Sequence, residues 1–295
     1  MPVTTTTLAE GVREAYSPGF ELTLYRNRGL LPVLSPPEDS GGDTAYRWKV
    51  NMGGNSSVEI YSEGAAQPAA GNQDYTNIAV DYLAFRFMTQ ITGHARAALR
   101  SKWFNAIEEE QSLGMEDLID LITTTYMGST YGLEAAIAAT GTYGGLTRGS
   151  ITYWESLVTA VDNPLASSDI QDMLEGLKDN ERGTSPDLLF GPVNQETNIY
   201  RLTPVGGMRV TDYANPLPNF QDQRVAGMTP VFLGDWTDTV LCFLSKRHVK
   251  VIQHQPFLVK EMAPSGDSDV LQNSYMGIIV HKNPKLAGKL TGCTA

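Results

Sequence analysis

The sequence predicts an α+β fold in which helices in the middle of the chain are followed by strands. Apolar residues recur with a helical period between residues 93 and 127, and apolar or alternating runs typical of strands dominate residues 230–262. Repeated strand–helix–strand units and internal repeats do not occur, which argues against a doubly wound parallel sheet. The chain has 295 residues, 41% of them hydrophobic, which suffices for one large folded unit or two modest ones.

The first 45 residues show little periodicity and are predicted to form an extended arm. Proline fixes the backbone angle φ and removes a hydrogen-bond donor, so a proline-rich segment suits a position over other structure. One short helix is expected near Leu8 to Tyr16, and a turn is expected at the SGGD sequence, residues 40–43. The prolines on which this interpretation rests are Pro18, Pro32, Pro36 and Pro37.

Residues 46–92 are predicted to form a long two-stranded ribbon with a flexible tip of small residues. Two-stranded ribbons are marginal alone in water, so the apolar face of this ribbon needs another surface. That surface is either its own chain or a neighbouring subunit, and the sequence leaves both open. The alternating apolar residues are Tyr46, Trp48, Val50 and Met52, then Val58 and Ile60 after a GGN turn, then Leu83, Phe85 and Phe87.

Residues 93–127 are predicted to form one long helix or two nearly collinear helices that meet at Gly114. The run of acids at Glu108–Glu110 predicts a solvated helix face rather than a metal site, because no further ligands converge on it. A face of four apolar residues, spaced three and four apart, predicts the buried side of the helix. These residues are Met115, Leu118, Ile119 and Ile122.

The remaining elements follow in order along the chain. A helix is expected to begin at the serines 167–168, and a buried strand is expected in PDLLFGPVN, residues 186–194. Several strands are predicted in residues 230–262 and a last one in SYMGIIVHKN, residues 274–283.

Charge and motifs exclude several classes of function. The net charge is −11, and the middle third, residues 101–200, carries 4 basic against 16 acidic side chains. Without clustered Lys and Arg, a surface that attracts nucleic acid is not expected. Cys242 and Cys293 predict no disulfide framework, and no apolar run is long enough to cross a membrane. Phosphate-binding, GxSxG, HExxH and CxxC motifs are absent, so a structural role is favoured over catalysis, with no metal or cofactor.

One glycine-rich stretch, GGLTRGSITYW at residues 144–154, resembles a recurring segment of the major capsid proteins of tailed bacteriophages. That segment reads Gly-Gly-[Ile/Leu]-x-Arg-x(5)-Trp. The ribbon sequence RWKVNMGGNSSVEIYSEG and the run GMTPVFLGDWTDTVLCFLSKRHVKVI resemble further segments of the same family, in the same order. The resemblance covers nearly the whole chain. Encapsulins and the floor of herpesvirus capsids share this shell fold.

The resemblance implies a fold with an N-terminal arm, an extended β-ribbon loop, a long spine helix, a peripheral domain and an axial domain. The implied ranges are 1–45 for the arm, 46–92 for the extended loop, 93–165 with the C-terminal strand 275–295 for the peripheral domain, and 166–274 for the axial domain.

The resemblance also implies a function, namely a shell subunit without a catalytic site. It would assemble with itself into pentamers and hexamers of an icosahedral shell that encloses double-stranded DNA in the virion, after synthesis in the host bacterial cytoplasm. Expected partners are a portal protein and, since no cleavable helical scaffolding region is recognised, a separate scaffolding protein, with unassisted assembly as the alternative; a decoration protein is left open. An encapsulin-type compartment is the alternative, followed by a soluble enzyme with an unrecognised site.

Seven residues are candidates for the assembly interface. The paired glycines would permit close backbone approach, the arginine would bind a carboxylate, and the last tryptophan would anchor the glycine-rich loop in the core. A simple connection between helix and sheet is the alternative for this loop. The candidates are Trp48, Met52, Tyr61, Gly144, Gly145, Arg148 and Trp154.

Overall fold

Two β-sheets, a ribbon and one long helix make up the described part of the protein. The computed structural model describes residues 33–34, 36–40, 43–53, 55, 57–60, 70–92, 103–151, 154–161, 165–179, 185–202, 225–234, 236, 239–263 and 266–293. The helix expected near Leu8 to Tyr16, the ribbon tip at 61–69 and residues 93–102 of the expected long helix lie outside these ranges.

The first sheet has four strands in the order β1–β11–β12–β4. Its centre is a long antiparallel hairpin, and β4 pairs antiparallel with β12 while the short β1 pairs parallel with β11. The strands are β1 Glu38–Asp39, β4 Leu83–Thr92, β11 Val249–Met262 and β12 Ser268–His281.

A second sheet has five strands in the order β7–β13–β10–β8–β9, with parallel pairs at both edges. Every residue of β8 and β10 is buried, as expected for central strands covered on both faces. The buried strand expected in residues 186–194 is therefore confirmed. The strands are β7 Leu157–Ala160, β8 Leu188–Pro192, β9 Thr229–Leu233, β10 Val240–Leu244 and β13 Gly288–Thr291.

Helix α1, Trp103–Met127, is continuous through Gly114. The four apolar residues expected on its inner face are all buried, in one core with Phe85 of β4 and Tyr275 of β12. Gly114 has a packing role instead of interrupting the helix: an added Cβ would lie 2.5 Å from Cε2 of Phe87. The missing side chain lets β4 approach the helix closely.

The described residues also include three shorter α-helices. They are α2 Leu133–Ala136, α3 Ser167–Asp179 and α4 Glu196–Leu202. Helix α3 begins at the serine pair as expected, and its buried face packs in a second core with Leu241 and Phe243 of β10. The expected α+β class is confirmed.

The expected ribbon is present, but its two strands are not the ones expected to pair. Strand β2, Ala45–Gly53, pairs with β3, Asp74–Asp81, whereas residues 58–60 are irregular and β4 belongs to the four-stranded sheet. Alternation identifies a strand but not its partner, which depends on contacts far along the chain. At its base the ribbon packs on Ile252, Ile278 and Val280 of its own chain.

Candidate functional site: the glycine-rich loop and the ribbon

The glycine-rich loop is a tight β-hairpin. Strands β5, Thr142–Tyr143, and β6, Leu146–Thr147, pair antiparallel across Gly144 and Gly145. Both glycines have positive φ, 60° and 85°, which is the geometry of a type I′ turn. Side-chain-bearing residues rarely adopt this conformation, so the paired glycines are explained by the turn itself.

This hairpin holds the ribbon of its own chain. The backbone N–H of Ala79 in β3 donates a hydrogen bond to the carbonyl oxygen of Gly144, at 3.3 Å. The neighbouring Ile78 is fully buried, and its Cγ2 occupies the space that a Cβ of Gly144 would need. Close backbone approach at Gly144 is therefore used between two segments of one chain, whereas a Cβ at Gly145 would meet no atom within 4 Å.

Arg148 fixes the other side of the hairpin by hydrogen bonds within its own chain. Its guanidinium donates to the carbonyl oxygens of Ala135, Ala136 and Thr140, at 3.0, 2.6 and 3.0 Å. No carboxylate contacts it among the described residues of this chain, and the expected contact with a carboxylate stays a prediction. The last carbonyls of a helix have no partner within the helix, and the buried cation satisfies two of those of α2, on Ala135 and Ala136.

Trp154 lies in the core, fully buried, as expected of an anchor. Its indole N–H donates to the carbonyl oxygen of Tyr143 at 3.0 Å, and the two rings stack with centroids 6.0 Å apart. Trp48 of the ribbon lies 6.5 Å from each of these rings and donates its indole N–H to the carbonyl oxygen of Lys282 at 3.2 Å. Three aromatic rings thus join the ribbon, the hairpin and the end of β12.

Burial keeps two ionisable groups of this cluster, Tyr143 and His281, neutral near pH 7. His281 is fully buried, and its backbone N–H donates to Oη of Tyr143 at 3.0 Å. Burial, with the nearby His248, lowers the pKa of His281 to about 3, and burial raises the pKa of Tyr143 to about 12. Neither group exchanges protons readily at neutral pH, so the cluster is suited to packing rather than acid–base chemistry.

The seven candidate residues differ in burial and in the contacts they make. Trp48, Gly144, Arg148 and Trp154 meet within one chain; Gly145 is exposed, Met52 is half-buried, and Tyr61 lies outside the described residues. Their part in contacts between subunits stays a prediction. Sequence reasoning missed Ile78 and Tyr143, although the alternation of TNIAVDY marks Ile78 as the centre of a buried strand face.

Within the described ranges, no group of three or more His, Cys, Asp or Glu side chains is arranged to hold a metal ion. Over the same residues, no helix has the length and apolar character needed to cross a membrane.

Solved structures with the same arrangement are found among phage particles. The chain aligns with a chain of the cyanophage A-1(L) capsid asymmetric unit at a TM-score of 0.66 and 14% identity, covering 92% of this chain and 95% of the other. The chain has the capsid protein fold of tailed phages. The capsid of the Myoviridae phage XM1 gives a TM-score of 0.58 at 10% identity, with coverage of 87% and 88%.

One alignment spans the full length of the chain. A chain of Mycobacterium phage Bobi aligns over 100% of both sequences, with a TM-score of 0.60 at 13% identity. No protein-family model matches the sequence, and no curated protein sequence matches it significantly. The sequence resemblance to major capsid proteins is thus confirmed for the fold, by structures whose sequences have diverged widely.

Proposed function

We propose that this protein is the major capsid protein of a tailed bacteriophage, which self-assembles into pentamers and hexamers of an icosahedral shell around double-stranded DNA. The observation that carries the proposal is the end-to-end alignment with a cyanophage capsid chain, 92% of this chain and 95% of the other. A shell built from many copies needs no catalytic centre, which agrees with a glycine-rich loop used for packing.

Exposed apolar side chains on the ribbon support a role in self-association. Beyond the pairing of β2 with β3, Val58 and Ile60 are 82% and 104% exposed. Exposed apolar residues that lie together on a projecting segment are typical of interaction surfaces. The base of the ribbon is held by its own chain, so its distal end is the part that lies over an adjacent subunit.

The proposed subunit has an arm at 1–45, the ribbon within 46–92, a peripheral domain at 93–165 with 275–295, and an axial domain at 166–274. Helix α1 serves as the spine of the peripheral domain. The proposed partners are other copies of this chain, a portal protein and a separate scaffolding protein, with the virion capsid as its location after assembly in the host cytoplasm.

Electron microscopy and size-exclusion chromatography of the purified protein test the proposal. Closed shells, pentamers or hexamers are expected, either from the chain alone or after co-expression with a scaffolding protein. A monomer that stays monodisperse at high concentration and with the scaffolding protein would refute the proposal. DNA inside particles from infected cells is expected for a virus, whereas particles that contain a protein cargo and no DNA would indicate a compartment of the encapsulin type.

A further inference from the structure

The buried contact between α1 and the four-stranded sheet contains a polar pair, Gln111 of α1 and Asn273 of β12. The two residues are 2% and 0% exposed, and Nδ2 of Asn273 donates to Oε1 of Gln111 at 2.9 Å. Their other amide atoms, Nε2 of Gln111 and Oδ1 of Asn273, are buried without a hydrogen-bond partner among the described residues. Burying a polar atom without a partner costs free energy, so this pair stabilises the contact less than apolar side chains would.

Beside this pair, a side chain of the sheet fits into a notch in the helix. Phe87 of β4 is paired directly with Asn273, and residues opposite each other in a sheet project to the same side. The ring of Phe87 lies against Gly114, where an added Cβ would be 2.5 Å from Cε2 of the ring. Because Gly114 is three positions after Gln111, both lie on one face of α1. The notch and the polar pair therefore join the same parts of the helix and the sheet.

The apolar side chains on this face do not by themselves fix α1 along its axis. Gln111, Met115 and Ile119 form a row with a spacing of four residues, and one turn of an α-helix rises about 5.4 Å. Since the row continues with Met and Ile, a slide of one turn places apolar side chains where apolar side chains were before. Burial of apolar surface is not directional, so it distinguishes poorly between the two positions.

The notch and the polar pair both oppose such a slide. A slide of one turn in either direction would bring a residue with a side chain, Leu118 or Glu110, against Phe87 in place of the glycine. The same slide would take Gln111 away from Asn273 and leave a buried amide unpaired, which costs the full desolvation of that group. Two different contacts thus select one position of the helix, which the apolar contacts alone do not select.

We propose that Gln111, Asn273, Gly114 and Phe87 form a register lock, which fixes the position of α1 along the four-stranded sheet at a cost in stability. Buried polar residues fix the register of coiled-coil helices in the same way and also at a cost in stability. The inference goes beyond the proposed function and applies to a single unassembled subunit. Its consequence for self-association is that every copy presents the outward side of α1 at the same position.

A fluorine NMR signal from Phe87 reports the position of the helix. The chain has nine phenylalanines, which para-fluorophenylalanine labels together, and Phe87→Leu identifies the signal of Phe87. One signal is expected for the wild type. Gln111→Met/Asn273→Leu replaces both amides with apolar side chains of similar shape, and a second Phe87 signal is expected because the helix then occupies two positions. Adding Gly114→Ala is expected to increase the second signal, and its absence from both variants would overturn the lock.

Denaturant unfolding separates the register from stability. Each single variant, Gln111→Met or Asn273→Leu, is expected to be less stable than the wild type, because the remaining amide loses its hydrogen bond. The double variant is expected to lose less than the sum of the two single losses. A double variant that is less stable than both single variants, or that does not fold, would overturn the inference, since the pair would then serve stability.

Thr123→Val is the matched control. Thr123 is also buried on α1, and its Oγ1 donates to the carbonyl oxygen of Ile119 at 2.8 Å. This hydrogen bond moves with the helix and cannot select its position, so one Phe87 signal is expected. A second signal as strong as that of Gln111→Met/Asn273→Leu would show that any lost buried hydrogen bond splits the signal, which overturns the lock.

Exchanging the two amides tests the hydrogen bond itself. Gln111→Asn/Asn273→Gln keeps one shorter and one longer amide at the contact, with their positions reversed. This variant is expected to fold and to give one Phe87 signal, because an amide pair again joins the helix to the sheet. A second signal as strong as that of the apolar double variant would overturn the role of the hydrogen bond in the lock.

Discussion

Replacing Gly144 with alanine is expected to release the ribbon from the glycine-rich hairpin. Two costs add at this position. A side-chain-bearing residue in the left-handed conformation costs about 1–2 kcal/mol, and the φ of Gly144 is 60°. The new Cβ also overlaps Cγ2 of the fully buried Ile78. Overpacking of this kind adds about 1–3 kcal/mol, for a total loss of stability of about 2–5 kcal/mol.

Gly145→Ala is the matched control. Gly145 has a φ of 85°, so it carries the same backbone cost, but a Cβ there meets no atom within 4 Å. Its expected loss is only about 1–2 kcal/mol. The difference between the two variants therefore isolates the contact between Gly144 and Ile78.

Two measurements on the unassembled subunit check this prediction. Denaturant unfolding gives the loss of stability, and hydrogen exchange at residues 74–81 reports the ribbon itself, where the amide of Ala79 bonds to Gly144. Gly144→Ala is expected to speed this exchange more than Gly145→Ala. Adding Ile78→Ala removes the overlapping methyl group, so its cost is expected to be smaller in the Gly144→Ala background than in the wild type. Equal losses for the two glycine variants would refute the reasoning.

Three further predictions follow from the same part of the structure. Arg148→Ala leaves buried carbonyls of α2 without a donor and is expected to cost about 1–3 kcal/mol for each carbonyl left unsatisfied, measured by denaturant unfolding, with Arg148→Lys intermediate. The pKa of His281 is lowered from 6.5 to about 3. Below pH 6.5 the unfolded chain binds a proton that the folded chain does not, so the free energy of unfolding falls by up to about 1.4 kcal/mol per pH unit between these two pKa values. His281→Asn is expected to flatten the acid side of the stability–pH profile, and an unchanged slope would contradict this. Glu38 bonds Lys250 at 2.7 Å, which lowers the pKa of Glu38, but its side chain is 42% exposed. Glu38→Gln is therefore expected to shift stability by less than about 1 kcal/mol.

Predictions that rest on local periodicity agree with the structure. The apolar residues at Met115, Leu118, Ile119 and Ile122 repeat with the helical period, so their burial follows from the helix geometry alone. The paired glycines at 144–145 likewise indicate a tight turn, because few other residues adopt positive φ. The resemblance of GGLTRGSITYW to capsid proteins identified the fold by the same short-range signal.

Only the tertiary structure shows which segment pairs with the first strand of the ribbon. Alternation at Tyr46–Met52 identifies a strand, but Val58 and Ile60 show the same pattern and are not in its partner strand. The true partner is Asp74–Asp81. Alternation marks its Ile78 as buried, but no local pattern shows that the glycine-rich hairpin is the surface that Ile78 contacts.

Arg148 shows the same limit for a single side chain. Its position in the motif is evident from the sequence, but the sequence does not contain the acceptors that the fold places around it, which are the carbonyl oxygens of α2 and Thr140. The sequence by itself determined the long helix, the buried strands and their buried faces, since these depend on neighbours two to four positions away. The fold alone decided which faces meet, because those contacts join segments that the chain brings together only on folding.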